Sequence, residues 1–396
     1  MPSEHKDKVL NEMESALARL QERSQLRDFA QIEGVNFCSN DYLGLAQDHR
    51  LKEAVLEAVK AAPLAGGTGS RLLSGHDVIW NGLEEEFAEF AGMESALYFS
   101  SGYGANVGLL TAILGKHDVV FSDALNHASL IDGIRLSGAR REIYPHLDLN
   151  ALEALLRVHK TERCRKIIVT ESVFSMDGDI ADLRAMQNLA ERHDASLVVD
   201  EAHATAVHGP GGAGLVAQAG IGDEVLAVLH TCGKALASAG GFICGSRILR
   251  DYLINHARTL IFSTAMPAYM AAQIKAALRL AKDMNREREV LLKNARALAS
   301  AMRTDGWDVS GTDSQIIPVI VGSNDDALGA AQFLQVQGFA IRAIRPPTVP
   351  AGSSRLRLSL TARIAVKELQ RMRECLTDWQ TSQLLMSTIP RTAAGA

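Results

Sequence analysis

Cysteine is scarce in this 396-residue chain. Five residues, Cys38, Cys164, Cys232, Cys244 and Cys375, are scattered, odd in number and never in CxxC spacing. That excludes a disulfide framework and a cysteine zinc site, and it fits the reduced thiols of a cytoplasmic protein. Excess charge is also lacking. The 41 Lys and Arg residues nearly balance 46 Asp and Glu, the net charge is −5, and no long block of one sign occurs. This removes the electrostatic case for binding nucleic acid. No apolar run reaches the roughly 20 residues of a membrane span. Val107–Gly115 is far shorter, and the apolar stretch after Pro267 is broken by Lys275 and Arg279. The N-terminal MPSEHKDKVLNEMESALARL is charged and helical in pattern, without the apolar stretch of a secretory signal. No internal repeat is visible. What is present is a chain 47% apolar and 22% charged, too rich in apolar surface to stay disordered. Its length allows two or three domains, or one large one.

The middle of the chain alternates short β-branched runs with helical patterns. Strands are predicted at 96–99, 118–122, 166–170, 196–200, 225–230 and 241–244, and helices at 104–114, 128–137, 149–159 and 182–193. Strands apolar on both faces, alternating with helices, predict an α/β fold with a mainly parallel sheet between helical layers. After Arg247 the pattern changes. One long helix is expected from Pro267 to about Met302, then strands at 315–321, 340–343 and 355–359 and helices at 325–337 and 366–383. The expected organisation is an N-terminal helix and extended segment (1–45), a large α/β domain (46–250), a connecting helix with a small α+β domain (251–385), and a flexible tail (386–396).

Three motifs fail on context. Gly209-Pro-Gly211-Gly-Ala-Gly214 spells GxGxxG, but it begins nine residues after the strand end at Asp200, contains proline and lacks a ribose-binding acid. A turn is expected there instead. Asp200-Glu201-Ala202-His203 spells the DEAH of helicases, yet no phosphate-cradling GxxxxGK[ST] accompanies it. Glu201, His203 and His208 lack the HExxH spacing of a zinc helix, so no metal site is expected.

A different constellation holds together. Polar residues follow successive predicted strands at the edge where open α/β sheets bind ligands. They are the Ser100–Asn106 segment with Gly102 and Tyr103, then Asn126-His127, Ser175, Asp200 with His203, and Thr231 with Lys234. Taken singly, Asp200 could cap a helix, His127 could sit in an interface and Lys234 could be a surface lysine. But Lys234 lies in Thr-Cys-Gly-Lys-Ala-Leu-Ala-Ser-Ala-Gly-Gly, an almost uncharged loop. Such surroundings lower a lysine pKa and free its amine for carbonyl chemistry. A strand-end acid with a lysine in a Gly-rich loop about 30 residues on suggests pyridoxal phosphate, which needs a lysine amine and a carboxylate at its pyridine nitrogen.

The chain resembles the α-oxoamine synthases, pyridoxal-phosphate enzymes of fold-type I. The matching segments are Asn40–Leu45, Gly67–Arg71, Ser74-Gly75, Asp123–Ser129, Glu171–Asp179, Asp200–His203, Thr231–Lys234 and Arg345–Pro350. They span about Asn36 to Thr361. The resemblance implies a seven-stranded sheet and a decarboxylative condensation of an amino acid with an acyl thioester. By position it implies that Lys234 holds the cofactor and takes the α-proton, Asp200 pairs with the pyridine nitrogen, and His203 and Ser175 serve the phenolic edge. His127 would stack on the ring, Gly102 and Tyr103 would turn at the phosphate, and Thr231 would touch the cofactor. Arg345 would grip the substrate carboxylate, with Thr348, Asn40 and Arg27 as further substrate contacts. A homodimer is implied too, with Ser70 and the Gly67–Ser70 segment reaching the neighbour's phosphate; an ordinary turn is the other reading of that run. The Arg345–Pro350 segment, followed by Arg355-Leu-Arg357, is most like the branch that uses L-alanine and a pimeloyl thioester, on coenzyme A or a carrier protein, in biotin biosynthesis. Glycine-using relatives and a non-catalytic cofactor-binding regulator stand as alternatives.

Overall fold

The computed structural model describes residues 4–29, 31 and 33–388. Its centre is a seven-stranded sheet. In chain order the strands are β1 (Ser95–Phe99), β2 (Val119–Asp123), β3 (Arg140–Tyr144), β4 (Lys166–Glu171), β5 (Ser196–Asp200), β6 (Ala227–Thr231) and β7 (Gly241–Gly245). Their spatial order is β1-β7-β6-β5-β4-β2-β3. The contacts from β6 through β3 are parallel, and only β7 runs antiparallel to both its neighbours.

Periodicity explains why this sheet is internal. In β4 the Ile168 side chain faces one apolar layer while Ile167 and Val169 face the other. Successive side chains of a strand point to opposite faces, so a run such as Lys-Ile-Ile-Val-Thr-Glu supplies apolar surface both ways. Helices Gly102–Ile113 and Ala128–Ser137 cover one face with Ala105, Leu109, Leu110, Leu130 and Ile134, all buried. Covering each of these side chains is worth about 1.5–3 kcal/mol for the larger ones. Helices Val78–Ala91 and Leu183–Arg192 contribute Phe87, Met186 and Leu189 to the other layer.

A second, three-stranded antiparallel sheet is built from β8 (Ile316–Gly322), β9 (Ala343–Ile344) and β10 (Ser354–Ser359), in the order β9-β10-β8. Val35–Asn36 pairs in parallel with Phe339–Ala340, which fastens the N-terminal extended segment to this half of the chain.

Three expectations change. β3 was absent from the sequence reading because Arg-Arg-Glu-Ile-Tyr has no apolar run; it is an edge strand and four of its five residues are at least partly exposed. The helix expected from 267 to 302 is two helices, Ala268–Asp283 and Asn285–Thr304. Arg288 makes the break affordable: its guanidinium donates to Ala281 O (2.6 Å), Lys282 O (3.1 Å) and Asn285 Oδ1 (2.5 Å), satisfying carbonyls the first helix leaves open. The final helix continues to Thr388, past the start expected for the tail; residues 389–396 lie outside those described. The Gly209–Gly214 string is the turn expected of it, a short 3-10 segment at Pro210–Gly212. Among the described residues no helix is long and apolar enough to cross a membrane, and no cluster fits a metal ion.

Candidate active site

The parallel strands β2, β4, β5 and β6 end on one edge of the sheet, and their terminal residues converge there. Asp200 is the last residue of β5 and is buried. Its Oδ1 accepts the Ala202 amide (2.8 Å) and its Oδ2 accepts Asn106 Nδ2 (2.7 Å). Asn106 lies one turn inside the helix that begins at Gly102, and it also donates to Ser129 Oγ (2.9 Å). Ser129 in turn meets His127 Nδ1 (2.8 Å), so one amide ties Asp200 to His127. Burial lowers the pKa of His127; Asp200 works against that, and Lys234 adds to it.

Lys234 follows β6 and is half-buried. Its Nζ stands 2.8 Å from His203 Nε2. Burial lowers its pKa to about 8 from an ordinary 10.5, against the pull of Asp200 and Glu171 and with help from Arg357. His203 is buried, and burial, Lys234 and Arg357 together hold its pKa well below normal. The ring is therefore neutral, and its nitrogens divide the roles of donor and acceptor. With Nε2 accepting from Lys234, Nδ1 donates to Tyr42 Oη (2.6 Å), and Tyr42 donates to Asn40 Oδ1 (3.1 Å). The polar chain thus has one direction from Lys234 to Asn40.

Arg357 closes it from the other side. It is buried on β10 and donates to Asn40 Oδ1 (3.1 Å), to Tyr42 Oη (3.5 Å) and, through Nε, to the Ser175 carbonyl. Ser175 enters the cluster through this carbonyl. Glu171 at the end of β4 lies beside Asp200 in register. It is buried with Oε1 unpartnered, and burial and Asp200 raise its pKa far above the carboxylate range.

Thr231, Gly102 and Tyr103 occupy the neighbouring rim. A Cβ on Gly102 would stand 3.2 Å from Thr231 Oγ1, so glycine keeps that approach open. Gly102 begins a helix capped by Ser101, and such an N-terminus favours a phosphate. Tyr103 is exposed, its hydroxyl bonds Asp132, and its ring meets His127 edge-on at 6.4 Å.

The sequence reading therefore names a cluster that the fold brings together: Lys234, Asp200, His203, His127, Ser175, Asn40, Thr231, Gly102 and Tyr103. Three other candidates form a separate group. Arg345 donates to the carbonyls of Ser24 and Leu26, and Arg27 donates to Thr348 Oγ1 (3.3 Å). The arginine whose guanidinium enters the Lys234 cluster is Arg357, twelve positions further on from Arg345. Ser70 forms an isolated bridge with Thr264. Asn106, Tyr42, Glu171 and Arg357 were not named as site residues. All four sit in the quoted motifs or beside them, but their partners lie 94, 161 or more positions away, or on a strand paired only in space.

The residues fit pyridoxal phosphate. An acid fixed by an amide and a low-pKa amine belong to one strand-end cluster, and a helix N-terminus next to a hydroxyl suits the phosphate. Comparisons with known proteins agree. The family model for class I and II aminotransferases matches residues 32–376. A Bacillus cereus protein provisionally named 8-amino-7-oxononanoate synthase is 40% identical, covering 90% of this chain and 94% of its own. A Geobacillus kaustophilus protein of the same provisional name is 44% identical, covering 86% and 87%. Among solved structures, the serine palmitoyltransferase of Sphingomonas wittichii has a TM-score of 0.86 at 28% identity, covering 96% of this chain and 98% of its own. The 8-amino-7-oxononanoate synthase of Francisella tularensis has a TM-score of 0.77 at 27% identity, covering 89% and 99%. With its fold, its lysine-centred cluster and these relatives in agreement, the chain belongs to the class I and II aminotransferase family, in the α-oxoamine synthase branch of pyridoxal-phosphate-dependent acyltransferases.

Proposed function

We propose that this enzyme condenses L-alanine with a pimeloyl thioester to give 8-amino-7-oxononanoate, CO2 and the free thiol. The observation that carries this reading is the 40–44% identity, over 86–90% of the chain, to relatives bearing that name. When bound, pyridoxal phosphate supplies an electron-withdrawing ring that acidifies the amino-acid Cα.

The chain's own residues do the rest. Asp200, held by Asn106 and the Ala202 amide, keeps a proton on the pyridine nitrogen. Arg357 grips the amino-acid carboxylate with a planar fork of donors, and Asn40 steadies the guanidinium. That grip sets the Cα–H bond within reach of Lys234. A pKa of about 8 leaves part of the Lys234 population neutral near physiological pH, able to take the α-proton. His203 remains neutral and so accepts a hydrogen bond from Lys234 without competing for its charge. The new C–C bond forms at the thioester carbonyl as the C–S bond breaks, the carboxylate departs as CO2, and a proton returns to Cα. His127, at the open rim, is suited to donate to the incoming carbonyl oxygen. The same reading includes a homodimer, supported by exposed Leu72, Leu73 and Phe262 flanking the Gly67–Ser70 and Thr264 contact.

Serine with a long acyl thioester is the second reading, favoured by the 0.86–0.89 TM-scores of the serine palmitoyltransferases. Supplying alanine, glycine or serine with pimeloyl-, acetyl- or palmitoyl-coenzyme A and identifying products by mass spectrometry decides between them. 8-Amino-7-oxononanoate is expected from alanine and the pimeloyl thioester. A clear preference for glycine with acetyl, or for serine with palmitoyl, overturns the proposal.

A further inference from the structure

The His146 ring lies between two carboxylates. Nδ1 stands 2.8 Å from Asp123 Oδ1, and Nε2 stands 2.8 Å from Asp179 Oδ2. Ionised carboxylates only accept, and a neutral imidazole has a single N–H, so both bonds require the imidazolium. Burial by itself pushes the ring's pKa down; the two carboxylates prevail and raise it to about 10. The ring also rests edge-on against Phe174, with centroids 4.4 Å apart.

Each carboxylate has a structural task of its own. Asp123 ends β2 and is buried; it also accepts the amides of Leu125 (2.8 Å) and Leu147 (2.9 Å). Leu147 has a φ of 54°, a left-handed conformation that a leucine adopts only under constraint. Asp179 closes the turn that begins at Phe174, where the Phe174 amide bonds Asp179 O (3.0 Å) and the Gly178 amide bonds Phe174 O (2.9 Å). This same turn seats the arginines of β10. The Ser175 carbonyl accepts from Arg357, and Asp177 pairs with Arg355. On its other side the turn is tight against β8, where a Cβ on Gly178 would meet Ile316 O at 2.1 Å. Charge holds the turn at two points, at Asp177 by Arg355 from β10 and at Asp179 by His146 from the opposite end.

We infer that His146 is a positioning residue: its doubly bonded imidazolium fixes the Phe174–Asp179 turn and, through the Ser175 carbonyl, aims Arg357 at the carboxylate of the amino-acid substrate. This rests on the role proposed for Arg357 above.

The test compares holoenzymes carrying His146→Gln, Asp179→Asn, Arg357→Lys and the His146→Gln/Arg357→Lys pair. Asp179→Asn removes only the partly exposed partner, so it does not depend on His146→Gln folding well. Each of the first two should raise the amino-acid KM about tenfold, the scale of coupling between contacting groups. The thioester KM, kcat and cofactor absorbance should stay near wild type. The double variant should be no worse than Arg357→Lys alone. In cofactor-free protein labelled with 15N-histidine, one ring should show both nitrogens protonated at pH 8, and that signal should vanish in His146→Gln. If Arg357→Lys leaves the amino-acid KM unchanged, the Arg357 reading falls and takes the route through Ser175 with it. If Arg357→Lys raises that KM and His146→Gln does not, the inference about His146 alone is overturned. It is equally overturned by a neutral His146 at pH 8, or by a loss spread evenly over kcat and both KM values.

Discussion

Replacing Glu201 by glutamine should change how stability depends on pH. Glu201 is 1% exposed and caps the helix Leu215–Ala219, its Oε1 accepting the amides of Leu215 (2.6 Å) and Val216 (3.0 Å) while Oε2 has no partner. Burial drives its pKa up; the two amides pull it back only partly, and it settles at about 7 against an ordinary 4.5. Between these values the folded chain keeps a proton that the unfolded chain has released. Stability therefore falls as pH rises through this window and is lowest above about pH 7. The gap from 4.5 to about 7 corresponds to about 3 kcal/mol. Glutamine keeps an oxygen for both amides and cannot ionise. Urea unfolding followed by tryptophan fluorescence at pH 4.5 and pH 8 should show wild type losing about 3 kcal/mol relative to E201Q between the two conditions. Curves that move in parallel, within about 0.5 kcal/mol, would refute the reasoning.

Other outcomes follow from neighbouring geometry. Gly214→Ala places a Cβ 1.7 Å from Glu201 Oε2 at a φ of +104°, and should cost more than about 3 kcal/mol. Gly211→Ala, also at positive φ but with open space around it, should cost only about 1–2 kcal/mol, and equal drops in Tm for the two would contradict this account. In cofactor-free protein, the rate at which an amine reagent modifies Lys234 should titrate near pH 8, not near 10.5, as read by peptide mass spectrometry. Asn106→Leu removes the 2.7 Å donor to Asp200 and should weaken pyridoxal phosphate binding about tenfold in a spectrophotometric titration. Unchanged affinity would show that the amide does not govern Asp200.

Much of the fold was legible because β-branched runs such as 166–171 and 196–200 are apolar on both faces, a pattern that only a covered sheet satisfies. β3 escaped for the complementary reason: at the sheet's edge its arginines face solvent, and nothing apolar marks it. The break at Met284 has no proline or glycine to announce it; it depends on Arg288, whose carbonyl partners are recognisable only once the chain has folded. The site divides in the same way. Lys234, Asp200 and His203 could be read because each sits at a strand end in unusual local company. Arg357 could not be told from Arg345 by type or neighbourhood. The distinction is the β10 register, which turns one guanidinium to Asn40 while the other is held by the carbonyls of Ser24 and Leu26. Glu201 and Gly214 explain the glycine-rich string that looked like a nucleotide motif: the glycine is there because a buried carboxylate leaves no room for a side chain.

The single reversed strand has a consequence for the reactive amine. Since β7 runs opposite to β6 and lies beside it, residues 232–240 return along the same edge without crossing to a helix. The Cys232 amide bonds Gly240 O (2.9 Å) and the Ser238 amide bonds Cys232 O (2.9 Å), so the segment bearing Lys234 is pinned at both ends to adjacent ladder strands. A backbone so anchored is a fixed post on which only the flexible four-carbon arm swings. Between one catalytic cycle and the next, the nitrogen has a short search and a single place to come home to.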